Sequence, residues 1–248
     1  MIKIQRSDKS LKSANQPKLI TFVVTNAIIM SILIIGLGET SVLLHDLGKG
    51  DTATLIRLLG FPAVASLALG VLSWLVPRSW KETLVFWRLG VRRLPSSEAF
   101  TKIAPADVRI DMTELSAHLG PLPTDYQKQS ALWYATYRKH VKETAVNDAN
   151  AAYLLYREMT VIAPVLLIVV AAMAFAAQGS WARIVVACLC VIAEYLLVMV
   201  AARNAGARLV ANVLAIEGAD KKPTAGKVPT KRSPRKKPLA NGKEPPEA

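Results

Sequence analysis

Four stretches of the chain, Leu19 to Leu37, Leu58 to Val76, Thr160 to Ala177 and Ile184 to Ala202, carry almost no charge. At a rise of about 1.5 Å per residue, each is long enough to cross a hydrocarbon core of roughly 30 Å. Lipid offers an open backbone amide no partner, so these runs are predicted to be helices that span a bilayer. After Pro77 the residues Trp80, Leu84, Trp87 and Val91 recur at helical spacing, which predicts that the second span continues into an amphipathic helix ended by Pro95. Asp111 with Glu114 forms a capping box for a short helix that Gly120 and Pro121 close. Thr124 with Gln127 repeats the device, opening a helix with Tyr126, Ser130, Trp133, Tyr137 and Val141 on one side. A further helix is predicted to start near Asn147 or Asp148 and run through Tyr153 and Tyr156 into the third span. The fourth span extends past Arg203 and Arg208 to Gly218. No alternating apolar pattern of useful length interrupts these segments, so no sheet is expected.

The pattern therefore reads as an all-α integral membrane protein of four transmembrane helices, arranged as two hairpins. Residues 1–18 form a basic N-terminus and 19–76 the first hairpin, with helices at 19–37 and 58–76. Residues 77–158 form a helical insert, and 159–202 the second hairpin, with helices at 160–177 and 184–202. Residues 203–219 extend the last helix, and 220–248 form a basic tail. That tail is too poor in apolar side chains to offset chain entropy, so disorder is expected there.

Charge gives the orientation. The chain has 248 residues and a net charge of +13, but the charge is partitioned. Lys plus Arg number 5 before the first span, 12 in the insert and 11 from Arg203 onward, leaving only Lys49, Arg57 and Arg183 in the other loops. Positive charge marks the cytoplasmic side, so both termini and the insert are expected there. A secretory signal is a poorer reading of the first span, because its apolar run is long and three more follow. Cys188 and Cys190 lie within the fourth span on different helix faces and suggest neither a disulfide framework nor a metal site.

Glu194 is the first candidate for function, since a carboxyl group in an apolar span faces a bundle interior or an aqueous path by default. It lies nine residues before Arg203, about 13 Å of helix, and Asn26 sits at a similar depth in the first span. A hydrogen bond between them, within or between subunits, is the natural expectation. It could line or gate a pore, or simply hold helices together. In the insert, Lys81, Arg88, Arg92, Arg93, Arg109, Arg138 and Lys139 are interleaved with Trp80, Trp87, Trp133, Tyr134 and Tyr137. Phosphate neutralisation and base stacking need those residue types, although aromatic residues at helical spacing more often form core. The cluster Lys231, Arg232, Arg235, Lys236 and Lys237 can meet anionic lipid or another polyanion by charge alone. Catalysis is not expected. There is no glycine-rich phosphate loop and no nucleophile elbow, and the histidines lack the ligand spacing of a metal site, so no cofactor or metal is inferred.

The order Phe86, Trp87, Arg88, Leu89, Leu94, Pro95, Ala99 and Phe100, then Asp107, Arg109, Ile110 and Asp111, then Gly120, Leu122, Pro123, Gln129, Trp133, Tyr134 and Tyr137, resembles a family of small bacterial inner-membrane proteins. It also looks like the membrane effectors of the Hailong anti-phage defence system. Ser96 and Ser97 depart from that pattern, which has a glycine soon after the proline. The resemblance implies a multimeric channel controlled by a nucleic-acid-type signal from a partner nucleotidyltransferase, with the insert as sensor and the spans as pore. The alternative reading is a non-conducting membrane scaffold or accessory subunit that docks a cytoplasmic partner. The apolar character of the other three spans supports it, since they offer few polar groups to line a path.

Overall fold

A computed structural model of the chain describes residues 2–35, 45, 75–176 and 180–219. Nearly all of the second apolar run, most of the loop before it and the basic tail, with Lys231, Arg232, Arg235, Lys236 and Lys237, lie outside that set. Among the described residues every regular element is helical. The α-helices are α1 (Ile2–Ile35), α2 (Arg78–Phe86), α3 (Met112–Leu119), α4 (Tyr126–His140), α5 (Thr144–Ala176) and α6 (Trp181–Ala219), and short helical turns from Gly90 to Ala106 join α2 to α3. Two segments are long and apolar enough to cross a membrane, Thr144–Ile168 within α5 and Trp181–Ala219, the whole of α6.

The long helices are more continuous than their charge pattern suggests. The basic N-terminal segment and the first apolar run form one helix of 34 residues that passes through Pro17. Buried Asn15 ties its basic end to α5 by donating from Nδ2 to the Ala151 carbonyl at 2.8 Å. Helix α5 starts at Thr144, a turn earlier than Asn147 or Asp148, and continues past Tyr153 and Tyr156. The 39 residues of α6 pass from Trp181 through Arg203 and Arg208 to Ala219 without interruption.

Three apolar clusters hold these elements together. Val23 and Met30 of α1 meet Ile162 and Leu166 of α5 and Ala187 and Val191 of α6, forming a three-helix core. Farther along α6, Leu209 and Val213 pack with Tyr137, Val146, Ala149 and Tyr153. Val210, Ala211 and Leu214 pack with Phe100, Ala104, Ile110 and Leu115. Helix α6 therefore contributes to all three of these clusters among the described residues. Its surroundings change along its length: from Val185 to Val200 most apolar side chains are exposed, whereas from Ala202 to Leu214 most are buried. Gly206 allows a close approach, because a Cβ there would stand 3.3 Å from an atom of each of the Phe86, Pro95 and Tyr153 rings.

Several local expectations change. Pro77 has φ −60° and ψ 149°, an extended conformation that separates α2 from the preceding chain, so α2 does not simply prolong the second apolar run. It ends at Phe86 rather than near Pro95, because Trp87 adopts the left-handed conformation, φ 51°. Its inner face is Lys81, Glu82 and Val85, while Trp80 and Trp87 are exposed, so these two tryptophans of the predicted stripe do not face the core. The Asp111 cap is present, with Oδ1 accepting from the amides of Thr113 and Glu114, and Gly120 terminates α3 at φ 79°. Asp125, not Thr124, caps α4, accepting from the amides of Gln127 and Lys128. A carboxylate one residue farther on satisfies the first-turn donors, and packing buries Gln129, Thr136, Tyr137 and His140, so of the predicted stripe only Tyr137 is buried.

Candidate functional site

Helix α6 brings Glu194 to α1, where Asn26 Nδ2 donates to Glu194 Oε1 at 2.8 Å. The same amide group also donates to the Phe22 carbonyl at 3.0 Å, which fixes the orientation of Asn26 on its own helix. Asn26 is buried, and Glu194 Oε2 is buried without a hydrogen-bond partner. A carboxyl oxygen left unmatched in an apolar bundle is costly, so the pair is a site of stored polarity rather than a saturated structural clasp.

Beginning at the next residue of α6, a second set of contacts joins this bundle to α2. Tyr195, next to Glu194, donates its hydroxyl to the Leu84 carbonyl at 2.9 Å and accepts from Trp87 Nε1 at 2.8 Å. Arg203 Nε donates to the Val85 carbonyl at 2.6 Å, and its guanidinium lies 5.4 Å from the Trp87 ring centroid. The end of α2 would otherwise leave these carbonyls open. Two side chains of α6 close them, and the Arg203 charge meets the negative end of the α2 dipole. A turn earlier in α2, Lys81 and Arg157 share Glu158, forming an ion-paired junction with α5 whose side chains are mostly buried. Breaking one member would strand buried charge.

The basic residues singled out in the insert do not converge on one cavity. Arg88 pairs with Glu98 at 2.9 Å, and Arg92 lies 4.1 Å from the Tyr126 ring centroid. Arg93 Nε donates to the Gly90 carbonyl, and Arg138 lies over Tyr134. Arg109 wraps Asp107 and also donates to Asn212 Oδ1 at 3.1 Å. Trp133 stacks on Tyr137 with a centroid distance of 5.4 Å, and its buried indole N–H has no partner. Arg109 holds the Asp107 carboxyl down to about 2 through its side-chain and backbone donors. Burial pushes Glu98 up, but Lys102 and Arg88 outweigh it and hold the group below its ordinary value.

Three contributors are absent from the candidates singled out in the sequence. Glu217, near the end of α6, accepts from Lys139 at 2.8 Å and lies 2.6 Å from His140 Nε2, so α4 is pinned to α6 by charge. Burial raises the Glu217 carboxyl, yet those two partners prevail and lower it overall. Arg203 looked like a topology marker because it ends an uncharged run. Tyr195 carried the one available signal, a hydroxyl beside the acid of an apolar run. Among the described residues no group of three or more His, Cys, Asp or Glu side chains could hold a metal ion. Comparison with protein-family models, curated proteins and solved structures finds no match for the chain.

Proposed function

We propose that the chain is a bacterial inner-membrane effector, channel-like and homo-oligomeric, whose helical cytoplasmic insert senses a signal and controls membrane permeability. Four spans in two hairpins, with both termini cytoplasmic, complete this reading, and no catalytic step is assigned to it. The observation that carries it is the unbroken helix α6, which holds Glu194 against Asn26 at one end and packs into both cores of the insert at the other. A rigid element shared by two packed bodies transmits a small displacement from one to the other, where a bistable contact can switch. The exposed apolar surface of α6 before Ala202, followed by burial after it, fits lipid contact and then protein contact. The resemblance to anti-phage membrane effectors rests on residue order alone and supports a defence role with a nucleic-acid-type trigger. The internal pairing of Arg88, Arg93 and Arg109 argues against those residues as a preformed trigger site.

The test is the membrane potential of bacteria expressing wild type and Glu194→Leu from an inducible promoter, with insertion of both verified. Wild type is expected to depolarise the cells and Glu194→Leu to leave them polarised. Failure of wild type to depolarise, together with retention of a soluble protein through detergent purification, would favour the docking scaffold instead.

A further inference from the structure

Between α5 and α6, a cavity of about 250 Å³ is lined by Tyr156, Ala201, Asn204, Ala205 and Arg208. We propose that it binds a phosphodiester anion, the headgroup of an acidic phospholipid in the cytoplasmic leaflet. The proposal rests on the membrane placement in the reading above, not on conduction.

Arg208 supplies the charge. Arg183 aside, which has contacts of its own at the start of α6, every other described arginine from Arg78 to Arg203 has a partner within the protein: Arg78 has Glu82, Arg157 has Glu158, Arg203 has the Val85 carbonyl, and Arg88, Arg92, Arg93, Arg109 and Arg138 are paired as described above. Among the described residues the Arg208 guanidinium has none, and neither the Asn204 amide nor the Tyr156 hydroxyl is hydrogen-bonded to another described residue. Three uncommitted polar groups on two facing helices thus surround one cavity, floored by Ala201 and Ala205. No acid lines it, so an anion is accepted while the ammonium group of a zwitterionic headgroup finds no partner. Arg208 can grip two phosphate oxygens at once.

Depth agrees with this ligand. Asn204 and Arg208 lie two and six residues beyond Ala202, about 3 and 9 Å along the helix. Headgroups occupy roughly the 5–8 Å outside each face of the hydrocarbon core. Helical side chains lean toward the N-terminus of their helix, which for α6 is the membrane end, so Arg208 reaches back to phosphate level. Tyr156, a turn before the apolar run at Thr160, has the position of an interfacial aromatic residue. The volume is below the roughly 300 Å³ at which pockets enclose whole drug-sized ligands, which suits a headgroup whose chains stay in lipid. The neighbouring 520 Å³ groove also includes Arg208, but its other cations, Lys102 and Arg109, are bound to Glu98 and Asp107.

The full chain is reconstituted in nanodiscs of phosphatidylcholine alone or with phosphatidylglycerol, and melting is followed for wild type, Arg208→Gln, Asn204→Ala and the charge-matched Arg138→Gln. Phosphatidylglycerol should raise the wild-type and Arg138→Gln midpoints by about 2–4 °C, with the rise lost in Arg208→Gln and reduced in Asn204→Ala. A rise produced instead by inorganic phosphate in phosphatidylcholine discs, and lost in Arg208→Gln, keeps the site but makes its ligand soluble. Equal responses of Arg208→Gln and Arg138→Gln, or no response to either anion, overturn the proposal. So does a lower midpoint of Arg208→Gln in phosphatidylcholine alone, which would make the residue structural. Failure of the chain to enter nanodiscs overturns its membrane placement, and the lipid assignment with it. The phosphate arm on the lipid-free protein then decides the anion site.

Discussion

Asp107 and Arg109 form a complete local clasp: Oδ1 accepts from the Arg109 amide at 3.0 Å and from Nε at 2.9 Å, while Oδ2 accepts from Nη2 at 2.7 Å. The clasp fixes the turn before α3. Because the folded-state pKa is depressed from 3.8 to about 2, its contribution is present above the unfolded value and is lost as pH falls through the folded one. Solvent screens the exposed Arg109 side, so the contribution is about 1 kcal/mol or less. Asp107→Asn is therefore expected to melt a few degrees below wild type at neutral pH, with the two midpoints converging between about pH 4 and pH 2. An undiminished difference at the acid end would mean that Asp107 acts by something other than its charge. The sequence showed Arg109 as a free cation available to a ligand. It could not show that Asp107, two residues away, already occupies it.

At the scale of elements, α2 is a nine-residue helix that α6 finishes. Isolated helices this short are marginal, so its stability must come from its neighbours. Trp87 adopts a conformation that costs a residue with a side chain about 1–2 kcal/mol, and its contacts with Tyr195 and Arg203 repay that cost. Arg203→Gln should lower stability by about 2 kcal/mol, since a charged hydrogen bond and a dipole contact are both lost. Tyr195→Phe should cost about 1 kcal/mol. Limited trypsin digestion in detergent should show earlier cleavage around Arg78 to Arg88 in both variants, with the α1 segment unchanged. Uniform loss of protection would instead make the joint a general stability element. The helical class, the Asp111 cap, the Gly120 stop and the continuity of α5 and α6 were all legible, because each depends on local chemistry. The early end of α2 was not, because carbonyls and side chains separated by more than a hundred residues decide it.

For the molecule as a whole, the two insert cores interleave on α6: Leu209 and Val213 face one, while Val210 and Leu214 face the other. A helix that presents alternate faces to two cores cannot lose one without loosening the other. Leu214 is fully buried, and Leu214→Ala leaves a cavity expected to cost about 2–5 kcal/mol. That is a large part of the 5–15 kcal/mol that stabilises a typical domain, enough to populate partial opening. Hydrogen exchange on the full chain in detergent should therefore accelerate in α3, which touches Leu214 through Leu115, and also in the first turns of α5 around Val146 and Ala149, which do not belong to that core. Amides near Asn26 in α1 should stay protected, because the bundle beside Val191 has its own contacts. Acceleration confined to α3 would show that the cores open independently. In that case α6 would be a shared wall rather than a lever, and a signal received in the insert would have no mechanical route to Glu194.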